Sequence, residues 1–196
     1  MRGALKESVA FFSSSNKGAI ERWAFTEFLR NLGLAFQSDE ITVTSPGQDP
    51  PDIVFRHDSF EVKEILDPDR RRHDEYKQAL SKAIAANDPI ELFETADVED
   101  ITPLDIATLI LSELKGDLAD KYEPGFRASL NLLFYINLAH HSLKAGPMPN
   151  PADFYHLGWR SVSVLIAWGT LVYFADSYAP EFLRAKVGTV SERDFQ

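Results

Sequence analysis

A mixed α/β fold is predicted by the order of the elements along the chain, with a central mixed sheet flanked by helices. A helical segment at 19–34 is followed by three short segments with strand character, then by a helical region, and then by an apolar segment at 130–138. This last segment does not alternate apolar and polar residues, a pattern typical of a strand buried on both faces. The α+β order therefore predicts one sheet with helices packed against it.

The length and composition indicate one domain covering residues 1–196. Of the 196 residues, 44% are hydrophobic, which is enough for a single core. We expect a core unit at about 19–138, followed by a C-terminal extension at about 139–185 that contains a helix and a strand pair. The tail at 186–196 is expected to be loose.

The first helix and the three strands after it have distinct patterns. Apolar residues recur every three or four positions in 19–34 and predict a helix with a wide apolar face: Ile20, Trp23, Ala24, Phe28 and Leu32. Alternation predicts a strand at 41–44. Two further strands, at 52–55 and 60–65, are joined by a tight turn at 57–59 and are expected to pair antiparallel.

Helix-start signals and turns place the remaining elements. The Asp-Pro pair at 67–68 predicts a helix that runs to about residue 86, with aspartate at the N-cap. The Thr-Pro pair at 102–103 predicts another helix start. A short helix after the Asn-Pro pair at 150–151, and strands on either side of a turn at 168–170, complete the chain.

Composition and charge limit the classes of protein that fit. The chain has no cysteines, which excludes disulfides and favours a cytoplasmic location. No membrane span is expected, because the longest apolar run, 162–175, is shorter than the roughly 20 residues required. The net charge of −10 counts against binding of nucleic acid. Basic residues nevertheless cluster at 63–82, and the acidic segment 91–123 is either a solvated face or a surface for a protein partner.

Two acids and a lysine at the predicted strand pair have the pattern of a metal site. Glu61 and Lys63 are two residues apart in one strand, so their side chains leave the same face. Asp52 begins the neighbouring strand and is expected to lie beside Glu61. Converging carboxylates suit Mg²⁺ or Mn²⁺, and an adjacent lysine can orient a water molecule and neutralise a phosphoryl group. The alternative is an exposed Glu–Lys pair, which contributes about 0–1 kcal/mol.

A third carboxylate is predicted to come from the first helix. Glu27 lies within the apolar face, four residues after Trp23, and is expected to face the sheet. Glu21 falls within the same arc, and Glu27 is preferred because its position is more central.

Basic residues follow the third strand, at the start of the next helix, where free N–H groups favour an anion. Four of them are candidates for contacts with nucleic acid: Arg70, Arg71, Arg72 and Lys77. The three arginines are poorly placed for the helix dipole. They either bind phosphates or pair with the acids at 67, 69, 74 and 75, and the sequence favours neither interpretation.

The pattern Pro51-Asp52 … Glu61-Val62-Lys63 resembles the core motif of the PD-(D/E)XK nuclease superfamily, and the element order over about 19–138 is similar to its restriction-endonuclease-like core. The whole chain also resembles a small family of bacterial proteins of unknown function described as "putative endonucleases". The resemblance implies metal-dependent phosphodiester hydrolysis. It makes Asp52 and Glu61 the metal ligands, Lys63 the residue that assists water, and Glu27 a supporting carboxylate.

The leading hypothesis is therefore a Mg²⁺- or Mn²⁺-dependent endonuclease that acts on DNA, with RNA as the other candidate substrate. The competing hypothesis is a catalytically inactive module of the same fold that binds a protein or regulates one. A homodimer formed through the apolar C-terminal strands is a further expectation.

Overall fold

A seven-stranded mixed sheet organises the computed structural model, which describes residues 2–13, 16–45, 47, 50–68, 70–86, 97–167 and 169–193. The helices are α1 (Arg2–Phe11), α2 (Lys17–Asn31), α3 (Arg72–Ala85), α4 (Pro103–Lys115), α5 (Asp117–Lys121), α6 (Pro124–Arg127), α7 (Ala152–Tyr155) and α8 (Glu181–Arg184). The strands are β1 (Ile41–Val43), β2 (Ile53–Phe55), β3 (Asp58–Leu66), β4 (Glu99–Ile101), β5 (Asn131–Asn137), β6 (His141–Leu143), β7 (Ser161–Ile166), β8 (Gly169–Ala175) and β9 (Val190–Glu192).

The strand order β1-β2-β3-β5-β7-β8-β9 confirms the predicted mixed sheet. Strands β3, β5 and β7 run parallel at its centre, and the strands on either side are antiparallel to their neighbours. Strands β4 and β6 form a separate parallel pair. None of the helices within the described ranges is long and apolar enough to cross a membrane.

The C-terminal strands continue the central sheet instead of forming an appended pair. Strand β7 pairs with β5, and all of β7 and nearly all of β8 are buried within the chain. Strand β7 ends at Ile166 and β8 begins at Gly169, so the connection falls earlier than the predicted turn at 168–170, and Trp168 lies outside the described residues. The homodimer stays a prediction, but these strands are already covered and do not supply the contact that it assumed.

Two apolar layers cover the two faces of the sheet. Helix α2 packs on one face, where four rings are buried together: Phe25, Phe28, Phe55 and Phe60. Helix α4 packs on the other face, where Ile106 and Ile110 join the apolar side chains of β5 and β7. Thr102 begins α4 as the sequence predicts, because its side chain and the Asp105 carboxylate cap each other's backbone N–H groups.

The helix after β3 begins later than the sequence predicts, at Arg72. The Asp67 carboxylate does not cap it. That carboxylate accepts hydrogen bonds from the backbone N–H of Ala139 (2.8 Å) and from the guanidinium of Arg70 (3.3 Å). Asp67 therefore ties the end of β3 to the segment after β5.

Short elements account for the other differences. The turn between β2 and β3 lies at Arg56 and His57, one residue earlier than predicted, with Arg56 at a φ of 56°. Part of the tail that was expected to be loose forms β9 and pairs with β8, whereas 194–196 lie outside the described residues. Helices α1, α5 and α6 were not predicted; two of these are so short that they carry little periodic signal.

Candidate functional site

The candidate site lies where β2 ends and β3 continues. Strand β2 pairs with β3 only as far as Phe60, and beyond that residue β3 pairs with β5 alone among the described strands. Asp52 immediately precedes β2, and the register that pairs Ile53 with Phe60 places Asp52 opposite Glu61. The hairpin thus brings the two acids of the sequence motif to one place.

Asp52 is a buried carboxylate with two partners. Its side chain is 1% exposed. Its Oδ2 atom accepts a hydrogen bond from the backbone N–H of Val62 at 2.9 Å, and its Oδ1 atom lies 2.8 Å from Nζ of Lys17. The same Nζ lies 3.0 Å from Oε1 of Glu21, so the ammonium group of Lys17 bridges two carboxylates.

Burial and the neighbouring charges shift the pKa values of Glu21 and Lys17 in this bridge. Burial, together with the neighbouring charge of Asp52, raises the pKa of Glu21 to about 7. Burial opposes the charged form of Lys17, but its hydrogen bonds to Asp52 and Glu21 outweigh that penalty and raise its pKa. Lys17 therefore stays charged at neutral pH.

Glu61 is fully buried, and its two oxygens have different environments. Its Oε1 atom accepts hydrogen bonds from Nζ of Lys63 at 2.5 Å and from the hydroxyl of Tyr122, and it lies 3.5 Å from Nζ of Lys121. Its Oε2 atom has no hydrogen-bond partner among the residues that the structure describes. Because buried polar atoms are nearly always paired, this oxygen is available to a ligand.

Tyr122 and Lys121 are site residues that sequence reasoning missed. Tyr122 is buried between α5 and α6, with its ring centroid 5.4 Å from that of Trp159 in an edge-on contact. Nζ of Lys121 lies 4.8 Å from the centroid of the Tyr122 ring. No motif or spacing connects positions 121 and 122 with Glu61, since only the packing of the chain brings them together.

Tyr122→Phe is expected to lower the free energy of unfolding by about 1.5–3 kcal/mol, because the variant removes a hydrogen bond to a buried charged group. Urea denaturation measures this change. Tyr155→Phe is the matched control, since Tyr155 is 64% exposed and the same atom is removed from a solvated ring. Equal losses for the two variants would contradict a role of the Tyr122 hydroxyl in holding Glu61.

The structure does not place Glu27 at this site. Its carboxylate pairs with Arg30 at 2.6 Å and lies 3.8 Å from Arg193, on a different side of α2. Glu27 is six residues from Glu21, which corresponds to about 120° of rotation around the helix. Glu21, the alternative within the same arc, is the helical carboxylate beside Asp52.

Two of the four predicted basic contacts are engaged within the protein. Nη2 of Arg70 donates to Oε2 of Glu75 at 2.9 Å, and the same guanidinium pairs with Asp67 at 3.3 Å. Of the two interpretations that the sequence left open, pairing with local acids therefore applies to Arg70.

Arg72 is buried, whereas Arg71 and Lys77 in the same region are exposed. Its guanidinium pairs with Glu64 and lies over the rings of Phe12 and Tyr135, at 4.2 and 4.9 Å from their centroids. Cation–π contacts of this kind stabilise the packing of α3 on the sheet. Arg71 and Lys77 are exposed, so the prediction of nucleic-acid contacts stays open for them.

Two cavities adjoin Lys17 and Glu21. One has a volume of about 440 Å³ and is lined by Lys17, Glu21, Lys63 and Tyr135 among others. The second has a volume of about 300 Å³ and is lined by Lys17, Glu21 and Asp52 among others. Lys17 and Glu21 line both cavities, so the bridge lies where the two cavities adjoin.

A divalent ion would require this arrangement to adjust. Within the described ranges, no three histidine or carboxylate side chains are already grouped closely enough to hold a metal ion. The ammonium of Lys17 lies between Asp52 and Glu21, and Glu61 contributes its unpaired Oε2 atom. The donor atoms are all carboxylate oxygens, the type that Mg²⁺ and Mn²⁺ prefer.

The fold and the site define a mixed α/β protein with two facing acids and a lysine at the open end of a hairpin. The chain belongs to the family described as "Putative endonuclease, protein of unknown function (DUF1780)", whose model matches residues 1–195. No curated protein matches the chain.

A solved structure from Pseudomonas aeruginosa strain PAO1 is similar to this chain over nearly its whole length. That protein is described as a protein of unknown function of the monooxygenase superfamily. It has 26% sequence identity and a TM-score of 0.70, over 98% of this chain and 92% of the Pseudomonas chain.

Proposed function

We propose that the protein is a metal-dependent endonuclease of the PD-(D/E)XK type that hydrolyses phosphodiester bonds of DNA. The observation that carries the proposal is the strand register, which sets Asp52 opposite Glu61 in the hairpin, together with the bond from Lys63 to Glu61 and the burial of both acids. Burying charge costs free energy, and such clusters are common at functional sites. The description of the family, "Putative endonuclease, protein of unknown function", names the same activity.

Mg²⁺ or Mn²⁺ is the cofactor that these side chains fit. Asp52 and Glu61 would hold the ion, with Glu21 replacing Glu27 as the supporting carboxylate. The unpaired Oε2 atom of Glu61 is the buried oxygen that such an ion would satisfy. When bound, a divalent ion makes water a better nucleophile and stabilises the charge on a phosphoryl group.

The protein's own groups have separate roles in this proposal. Lys63 is 24% exposed, so its ammonium group reaches from the buried Glu61 to the cavity and can donate to the attacking water or to a phosphate oxygen. Tyr122 is a positioning residue, since it bonds to Oε1 of Glu61 and leaves Oε2 free. Because the acids lie in a water-poor environment, their charges act more strongly than in bulk solvent.

The substrate and the partners belong to the same proposal. DNA is the leading substrate and RNA the alternative, with Arg71 and Lys77 as exposed basic residues that could contact phosphates. A protein partner on the acidic segment 91–123 stays a prediction, and residues 91–96 lie outside the described part of the chain.

Cleavage of DNA in the presence of Mg²⁺ or Mn²⁺ and its loss in EDTA test the proposal. Glu21→Gln is expected to reduce the cleavage rate by about tenfold or more, whereas Glu27→Gln is expected to retain the wild-type rate. The two variants make the same change in the same helix, so they test position alone. Equal rates for both variants, or cleavage that persists in EDTA, would contradict the proposed site.

The ends of the cleaved DNA distinguish hydrolysis from oxidative cleavage, which is the kind of chemistry that the monooxygenase description of the Pseudomonas protein indicates. Hydrolysis leaves phosphate and hydroxyl ends that a DNA ligase can rejoin, whereas oxidative strand breakage does not. Calorimetric titration with Mn²⁺ addresses the competing hypothesis. No heat of binding together with no cleavage would favour the inactive protein-binding module.

A further inference from the structure

The ammonium group of Lys17 occupies the position at which Asp52 and Glu21 converge. Its Nζ atom lies 2.8 Å from Oδ1 of Asp52 and 3.0 Å from Oε1 of Glu21. Both carboxylates are buried, whereas the Lys17 side chain is 60% exposed. One positive charge on an exposed side chain thus neutralises two buried acids of the proposed metal site.

The backbone at the start of α2 is closely packed, whereas the Lys17 side chain is largely exposed. A Cβ atom on Gly18 would lie 2.8 Å from Cγ1 of Val43, so glycine lets the first turn of α2 approach β1 closely. The Lys17 stem, in contrast, projects between the cavities of about 440 and 300 Å³. Its ammonium group can therefore move into either cavity by rotation of the side chain alone.

We propose that the ammonium group of Lys17 pairs with Asp52 and Glu21 until a divalent metal ion binds the same carboxylates. The displaced ammonium group then binds a phosphate of the nucleic acid. The inference rests on the proposed function, since it requires a metal ion and a phosphodiester substrate at this site. It adds a phosphate-binding residue that lies outside the Asp52, Glu61 and Lys63 motif.

The Lys17 ammonium group and the metal ion compete for the same carboxylate oxygens. This competition determines whether removal of Lys17 strengthens or weakens metal binding. The Nζ atom of Lys17 lies 2.8 Å from Asp52 and 3.0 Å from Glu21, so a metal ion that binds these oxygens must displace a positive charge. Lys63 and Lys121 pair with Glu61 instead and do not compete at Asp52. Removal of the Lys17 charge should therefore increase the affinity for metal, whereas loss of a merely structural contact should not.

The expected contribution of Lys17 to phosphate binding follows from the distribution of charge in the protein. Arg70 and Arg72 are engaged by acids of the protein, and the chain as a whole has a net charge of −10. An acidic protein needs local positive charge wherever it contacts phosphates. A displaced Lys17 beside Lys63 supplies it at the reacting phosphate, and only after the metal ion has bound.

Calorimetric titration with Mn²⁺ tests the competition. Lys17→Met is expected to bind Mn²⁺ about tenfold more tightly than the wild type, as removal of two modest ion pairs implies. Lys144→Met, which removes an exposed lysine near Asp100, is expected to bind like the wild type. Lys17→Gln should repeat the effect if the methionine variant folds poorly.

The outcomes separate this inference from the proposed function. Wild-type binding with an unchanged or weaker affinity in both Lys17 variants would overturn the inference and leave the metal site in place. No Mn²⁺ binding by any of the proteins would overturn the proposed function and this inference with it.

The phosphate contact has its own measurement. Fluorescence anisotropy with a labelled DNA oligonucleotide, in Ca²⁺ to limit cleavage, is expected to show weaker binding by Lys17→Met despite its tighter metal binding. The slope of log Kd against log salt concentration should decrease by about 0.7–0.9, the value for one lost phosphate contact. A slope equal to that of the wild type and of Lys144→Met would overturn the phosphate role.

Discussion

Replacing Lys63 by methionine is expected to reduce the rate of metal-dependent DNA cleavage by about 10²–10³-fold, the usual cost of removing one donor to a developing anion. The ammonium group of Lys63 bonds to the buried Glu61 and reaches the cavity beside it. Methionine retains most of the length of the side chain and removes the charge. Single-turnover cleavage at saturating Mn²⁺ measures the loss without a contribution from product release.

The control for this prediction separates chemistry from folding. Tyr122 and Lys121 still contact Oε1 of Glu61 when Lys63 is absent, so the variant is expected to remain folded, as circular dichroism can verify. Lys144→Met removes an exposed lysine far from the motif in sequence and should cleave at the wild-type rate. A Lys63→Met rate within threefold of the wild type would remove Lys63 from the proposed mechanism.

The elements that could be predicted from sequence are those whose signals are local. Alternation and turns place β1, β2 and β3 within a few residues, and the Thr-Pro pair at 102–103 places the start of α4. Apolar residues without alternation place β5 at the centre of the sheet, where it is buried on both faces. Periodicity and capping depend on neighbours in the chain, so the sequence contains them directly.

The periodicity of α2 could not decide which of its two glutamates faces the site. Glu21 and Glu27 both fall in the broad apolar arc of the helix, but the rotation of α2 on the sheet is set by how Phe25 and Phe28 pack against Phe55. This packing turns Glu21 toward Asp52 and leaves Glu27 with Arg30. Tertiary contacts therefore decide a choice that periodicity alone leaves open.

Long-range partners explain the remaining misses at the site. Lys17 reaches Asp52 from the start of α2, and Tyr122 reaches Glu61 from a junction of two short helices. Both contacts join residues that no repeat, spacing or motif connects. The acids and the lysine of the hairpin could be predicted from sequence because one turn of the chain brings them together. Lys17 and Tyr122, which bond to these acids, come from distant segments.

Phe25→Ala is expected to produce the largest loss of stability, about 3–5 kcal/mol, because it leaves a cavity in a closely packed layer. Phe25 is fully buried, with ring centroids 4.6 Å from Phe60, 5.6 Å from Phe55 and 6.0 Å from Phe28. These rings join α2 to the β2–β3 hairpin. Urea denaturation measures the change in the free energy of unfolding.

Trp23→Ala in the same helix is the matched control, because it removes a larger side chain that is 37% exposed and should cost less than half as much. A comparable loss for both variants would show that side-chain size, and not burial against the hairpin, determines the effect. The expected difference has a functional consequence. Because α2 carries Lys17 and Glu21 while the hairpin carries Asp52 and Glu61, Phe25→Ala should also weaken Mn²⁺ binding.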